Sequence, residues 1–132
     1  MYKIEQKSYG LKLTFAGFIR EVEITDWQAE MLPLLKTLPP SFGMLIDMCE
    51  MTAMPTKSQE IIMATQKNFK SRVTRSATIT KSTITNIQSK RISNKSGVNE
   101  TKVFIDAALT PDWETQAIDW IENGTPPPSV AP

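Results

Sequence analysis

The first fifteen residues alternate between polar and apolar positions as a hairpin would. Tyr2, Ile4 and Gln6 interleave with Lys3, Glu5 and Lys7, a period of two that predicts a strand. Tyr9-Gly10 supplies a turn, and Leu11, Leu13 and Phe15 then share one face with Lys12 and Thr14 on the other. Gly17 ends or bulges this second strand before Phe18-Ile19-Arg20 resumes an extended path. The period next changes to that of a helix. Trp27, Met31, Leu34, Leu35 and Leu38 lie on one stripe, and Thr25 with Gln28 reads as a capping box at its start. Asp26 suits the positive end of the helix dipole; Pro33 interrupts the pattern, and Pro39-Pro40 stop it.

From Gly43 to Cys49 the chain is apolar except at Asp47, the signature of a central strand covered on both faces. A loop runs from Glu50 to Pro55. Thr56 and Gln59 then read as a second capping box, opening a helix to about Lys70 that buries Ile61, Ile62 and Phe69. Arg75 to Thr80 alternates around Ala77 and Ile79 as a further strand, with Thr83 a candidate to extend it. The stretch from Ile84 to Ser96 carries only Ile84, Ile87 and Ile92, which predicts a short, weakly packed helix before a loop at Lys95-Ser96-Gly97. Val103-Phe104-Ile105 is the last strand. A final helix starts with Thr110 as cap and Pro111 at its first position, buries Trp113, Ala117, Trp120 and Ile121, and ends at Gly124. Strands alternating with helices predict an α/β fold: a mixed sheet of about five strands with about four helices packed against it. Residues 1–124 form one domain, and the proline-rich stretch 125–132 is expected to be a disordered tail.

Composition narrows the chemistry. The 132 residues contain no histidine and a single cysteine, Cys49, so the commonest general base, the commonest zinc ligand and an internal disulfide are all missing. No apolar run reaches the length of a membrane span, and the start shows no signal-peptide pattern, so the cytosol is the expected compartment. The five glycines never cluster into a phosphate-cradling loop. Asp47 and Glu50 form the one central carboxylate pair, which reads better as a loop cap than as a metal site or an acid–base couple. Cys49 has no basic neighbour in sequence to activate it. No catalytic set, metal site or cofactor is expected.

Charge is balanced overall at +1 and uneven along the chain. Between Glu60 and Glu100 there is no carboxylate and there are eight cations, leaving seven cations against fourteen carboxylates elsewhere. Lys67, Lys70, Arg72, Arg75 and Lys81 could therefore form a face for acidic lipid or nucleic acid. Phe69 is the lone aromatic in that window, which disfavours stacking on bases.

Several phrases, in order, resemble the STAS superfamily and its SpoIIAA-like branch. They are Ile24-Thr25-Asp26-Trp27, Leu32-Pro33-Leu34-Leu35, Met44-Leu45-Ile46-Asp47-Met48, Arg75-Ser76-Ala77-Thr78-Ile79, Lys102-Val103-Phe104 and Gln116-Ala117-Ile118-Asp119-Trp120-Ile121. The resemblance covers about residues 11 to 122 and makes a proline inside the first helix ordinary. It implies a non-enzymatic regulatory module. Anti-sigma antagonists of the superfamily are switched by phosphorylation of a serine in an Asp-Ser-Ser-Gly motif opening the second helix. Here that stretch reads Pro55-Thr56-Lys57-Ser58, without the aspartate and glycine, so Thr56 and Ser58 are the candidate phosphoacceptors. The expected contact site lies at the carboxyl end of the central strand: Asp47, Met48, Glu50, Met51 and Met54, with Thr56 and Ser58. Flexible methionine side chains there suit a partner protein or a small apolar or amphipathic ligand. Large apolar residues in the first strands and last helix make a homodimer the expected assembly.

Overall fold

The computed structural model describes residues 1–81 and 101–127. The expected helix at Ile84–Ser96 and the end of the expected tail, residues 128–132, lie outside the described residues. Among those described, strands β1 (Tyr2–Lys7), β2 (Gly10–Phe15), β4 (Phe42–Asp47), β6 (Val73–Thr80) and β7 (Lys102–Asp106) form one sheet in the order β1-β2-β4-β6-β7. The β1–β2 hairpin is antiparallel and every other pairing is parallel. Two short strands, β3 (Gly17–Phe18) and β5 (Met51–Ala53), pair with each other outside that sheet. The path through Phe18 and the loop after Cys49 thus stabilise one another. Helices α1 (Glu21–Leu35), α2 (Thr56–Gln66) and α3 (Trp113–Asn123) complete the α/β architecture. No helix among the described residues is long and apolar enough to cross a membrane.

The sheet is covered on both faces by different material. Leu11, Leu13, Phe15, Met44 and Ile46 pack with Ile24, Trp27, Met31 and Leu35 of α1 and Ile62 of α2. Phe15 and Trp27 meet edge to face at 5.9 Å. On the opposite face Leu45, Ala77, Ile79, Val103 and Ile105 pack with Ala117 and Ile121 of α3. Strand β4 contributes to both clusters, as its unbroken apolar run requires.

Close approach of β4 to its neighbours depends on glycine. Gly10 and Gly43 stand opposite each other in the β2–β4 register, and the Gly43 amide donates to the Tyr9 carbonyl at 2.9 Å. A Cβ on Gly43 would strike the Ile121 side chain and come within 2.8 Å of the Tyr9 oxygen.

Three helix starts differ from the sequence expectation. Helix α1 begins four residues before Thr25, with Arg20 in the extended cap position and Glu21 and Glu23 favouring the dipole in the first turn. Ile24, fully buried, extends the apolar stripe one step upstream of Trp27, and the Thr25 hydroxyl donates back to the Glu21 carbonyl from within the helix. Pro55, not Thr56, caps α2; the Gln59 amide turns inward and donates to the Met54 carbonyl at 2.9 Å. In α3 the cap is Asp112, because Thr110 and Pro111 form a preceding turn in which the Trp113 amide donates to the Thr110 carbonyl. At the other end, Gly124 takes the expected left-handed conformation (φ 73°), and its amide donates to the Trp120 carbonyl. Of the expected tail, Pro127 is buried.

Neither α1 nor α3 has a basic residue in its last turn. Two arginines supply that charge from elsewhere. Arg72, in the short 3-10 turn Lys70–Arg72, donates to the carbonyls of Leu35, Leu38, Pro39 and Pro40 at 2.7–3.3 Å and lies 5.2 Å from the Phe42 ring centroid. Arg75, on β6, donates to the Ile121 and Glu122 carbonyls at 3.2 Å and lies 6.0 Å from the Trp120 ring. Unpaired carbonyls at a helix end attract cations, and a guanidinium fork can reach several at once.

Two outcomes are expected in denaturant unfolding. Gly43→Ala lowers stability by about 1–3 kcal/mol through overpacking against Ile121. Arg72→Ala costs about 1–3 kcal/mol, and Arg72→Lys restores little of it, because one ammonium cannot span four carbonyls.

Candidate functional site

The carboxyl end of β4 leads directly into the β3–β5 pair. The Gly17 amide donates to the Glu50 carbonyl at 2.8 Å and the Ile19 amide to the Ala53 carbonyl at 3.1 Å, locking this corner between the sheet and α2. Its predicted residues separate into two groups. Met48, Met51 and Met54 are 2–5% exposed and belong to the core beneath α1 and α2. They fill the interior, as thioethers more often do, and line no open surface. Ser58 is fully buried, and its hydroxyl donates to the Ile19 carbonyl at 3.1 Å, pinning α2 to the strand before α1. Glu50 and Thr56 face solvent.

Asp47 is half-buried. Its Oδ1 accepts from the Cys49 amide at 3.0 Å, so it shapes the turn that leaves β4. Burial, with the Asp47 carboxylate beside it, pushes the Cys49 thiol up to about 12, which keeps it in the unreactive protonated form. Glu50 pairs with Lys81 at 3.7 Å across the ends of the strands. Among the described residues no three Cys, Asp or Glu side chains converge to hold a metal. The exposed surface of this corner is partly apolar. Phe18 on β3 and Val22 in the first turn of α1 are 54% and 69% exposed. The period-two reading through Phe18 gave no reason to set it outside the main sheet, so sequence reasoning missed this pair.

The described cations of the basic window, Lys67, Lys70, Arg72, Arg75 and Lys81, do not all share one face. Arg72 and Arg75 are committed to carbonyls of α1 and α3, which lie on opposite sides of the sheet, and Lys81 is paired with Glu50. Lys67 and Lys70 remain exposed at the end of α2.

A second set of polar groups, also unforeseen, is internal. Ser76, Thr78 and Thr80 of β6 are buried on the α2 side of the sheet, and α2 turns Gln59 and Gln66 inward. In the β6–β7 register Ser76 stands beside Lys102. Lys102 lines a narrow cavity with Gln66, Trp27 and apolar side chains. Desolvation lowers its ammonium from 10.5 to about 8. Lys102 as a whole residue is half-buried. In the sequence the only trace is a lysine out of place at the head of a buried strand.

No known family profile matches the sequence, and no curated protein aligns with it. Solved structures do resemble it. An uncharacterised protein of the DUF3478 family with a SpoIIAA-like fold, from Shewanella loihica PV-4, superposes with a TM-score of 0.65 at 15% identity, over 92% of each chain. An anti-sigma factor antagonist from Mycobacterium paratuberculosis superposes with a TM-score of 0.57 at 16% identity, over 90% of this chain and 94% of that one. The order and hand-off of strands and helices in this chain are therefore those of a SpoIIAA-like, STAS-type fold.

Proposed function

We propose that the protein is a non-enzymatic STAS-like regulatory module that docks a partner protein on the corner formed by β3, the loop through Glu50, and the starts of α1 and α2. The observation that carries this reading is the exposed pair Phe18 and Val22 beside polar Glu50 and Thr56, on a segment held rigid by the β3–β5 hydrogen bonds. Apolar anchors rimmed by polar groups are the usual make-up of a protein contact. The fold shared with an anti-sigma factor antagonist supports a regulatory role that works by contact. The proposed contact set is Phe18, Val22, Glu50 and Thr56; Asp47 shapes the loop behind it, and Met48, Met51, Met54 and Ser58 support it from inside. The cytosol is the proposed compartment, and a homodimer the proposed assembly.

Thr56 is the proposed phosphoacceptor of the two candidates. It is exposed in the first turn of α2, where the helix dipole favours added negative charge, whereas a phosphate on Ser58 would have to displace the core. Thr56→Glu is expected to fold with wild-type stability to within about 1 kcal/mol. Ser58→Ala is expected to cost about 1–3 kcal/mol by leaving the buried Ile19 carbonyl unpaired. Mass mapping after kinase treatment that finds phosphate on Ser58 of the folded protein contradicts this assignment.

Affinity capture compared between the wild type and a Phe18→Ser, Val22→Ser double variant tests the docking corner. The expected result is a partner retained by the wild type and lost from the variant, with unchanged melting temperature. Identical capture by both sinks the reading. Native mass spectrometry of the freshly purified protein checks the assembly, and a monomer at high concentration removes the homodimer.

A further inference from the structure

An ammonium in an apolar interior needs either a counter-charge or a lost proton. Lys102 has neither an ion-pair partner nor a hydrogen-bond partner among the described residues; its one described contact is the Phe104 ring, 5.6 Å from Nζ. Among the described residues, the side chains facing it include Gln66 from α2, Phe69 before the 3-10 turn, Ser76 from β6, and Met44 and Ile46 from β4, none of which titrates. No Asp or Glu side chain among the described residues lines the space beside it.

The groups around it are equally unsatisfied. Gln66 is 6% exposed, and its side-chain carbonyl has no partner; Trp27, at the far end of the same cavity, has an unpartnered indole N–H. Buried polar atoms left in this condition are uncommon in folded proteins. Two adjoining spaces meet at Lys102 and Gln66, of about 20 and 10 Å³. Roughly 10–15 Å³ on this measure admits one water, so the site takes a single small particle and excludes a fatty acid or nucleotide.

We propose that this space is a binding site for one halide-sized monovalent anion, held by the Lys102 ammonium, the Ser76 hydroxyl and the Gln66 amide. Turning the Gln66 amide over directs its N–H₂ into the space in place of the carbonyl oxygen. Chloride supplies the missing counter-charge, accepts from three donors and leaves the surrounding apolar contacts in place. A bound water would hydrate the ammonium without neutralising it. This site is separate from the docking corner at Phe18 and stands or falls independently of it.

Thermal unfolding in sodium chloride, sodium bromide and sodium gluconate at equal ionic strength tests the proposal. The halides are expected to raise the melting temperature of the wild type saturably, by about 3 °C or more at tenfold excess over Kd, and to leave Lys102→Met unaffected. Equal melting in all three salts, or a halide effect undiminished in Lys102→Met, overturns it. Should Lys102→Met fail to fold, anomalous scattering from crystals of the wild type grown in bromide decides the matter. A bromide peak beside Lys102 Nζ supports the site, and a water or no density at that position overturns it.

Discussion

The whole arrangement depends on burying β4 from both sides. Met44 and Ile46 face α1 and α2, while Leu45 faces α3, and the strand is paired in parallel with β2 and β6 along its length. Each face must then be covered by a helix whose apolar stripe matches it, which fixes where α1, α2 and α3 lie. Gly43 lets α3 come down onto the strand at Ile121, so a single missing side chain sets the spacing of that layer. The corner at Phe18 follows from the same constraint. Because the loop leaving β4 is tied to β3, exposed Phe18 is fixed beside that loop.

The uneven charge of the chain has a structural use. Helices α1 and α3 end without cations of their own, and Arg72 and Arg75, three residues apart, serve those two ends on opposite faces of the sheet. Two arginines that read in one dimension as part of an anion-binding face are divided in three dimensions between two helix termini. Carbonyl partners, unlike carboxylates, take no part in the charge count of a sequence. Arg72 and Arg75 therefore need no nearby acid.

The interior is not uniform. The β2–β4 half of the α1/α2 face is apolar, whereas on the β6–β7 half of that face Ser76, Thr78, Thr80 and Lys102 replace aliphatic side chains and meet Gln59 and Gln66. Polar seams of this kind contribute less to cohesion than aliphatic packing and more to specificity, since each group must find a partner. Ser58 shows the satisfied version, its hydroxyl reaching the Ile19 carbonyl, and the Gln59 N–H₂ reaches the Met54 carbonyl while its side-chain oxygen stays unpartnered. Around Lys102 the same logic is incomplete, and that is where a small ligand has something to add.

The sequence by itself determined the fold class, the hairpin, the central strand and the three described helices, because periodicity of two or 3.6 and an unbroken apolar run depend only on neighbouring residues. The resemblance carried by phrases such as Met44-Leu45-Ile46-Asp47-Met48 pointed to the same fold. Helix starts were less legible: Thr25, Thr56 and Thr110 all had the right local chemistry for caps, yet the helices begin where Ile24 can be buried, where Gln59 can reach Met54, and where the chain turns at Thr110. Within the candidate site, the sequence grouped Met48, Met51, Met54, Thr56 and Ser58 as one set, since a Met-rich loop and an exposed Thr56 read alike until burial separates them. Only the tertiary structure decided that Met48, Met51, Met54 and Ser58 point inward, that Phe18 and Val22 point outward, and that Lys102 lacks a counter-charge among the described residues. Those outcomes depend on which distant segments meet, and no local pattern of residues encodes that meeting.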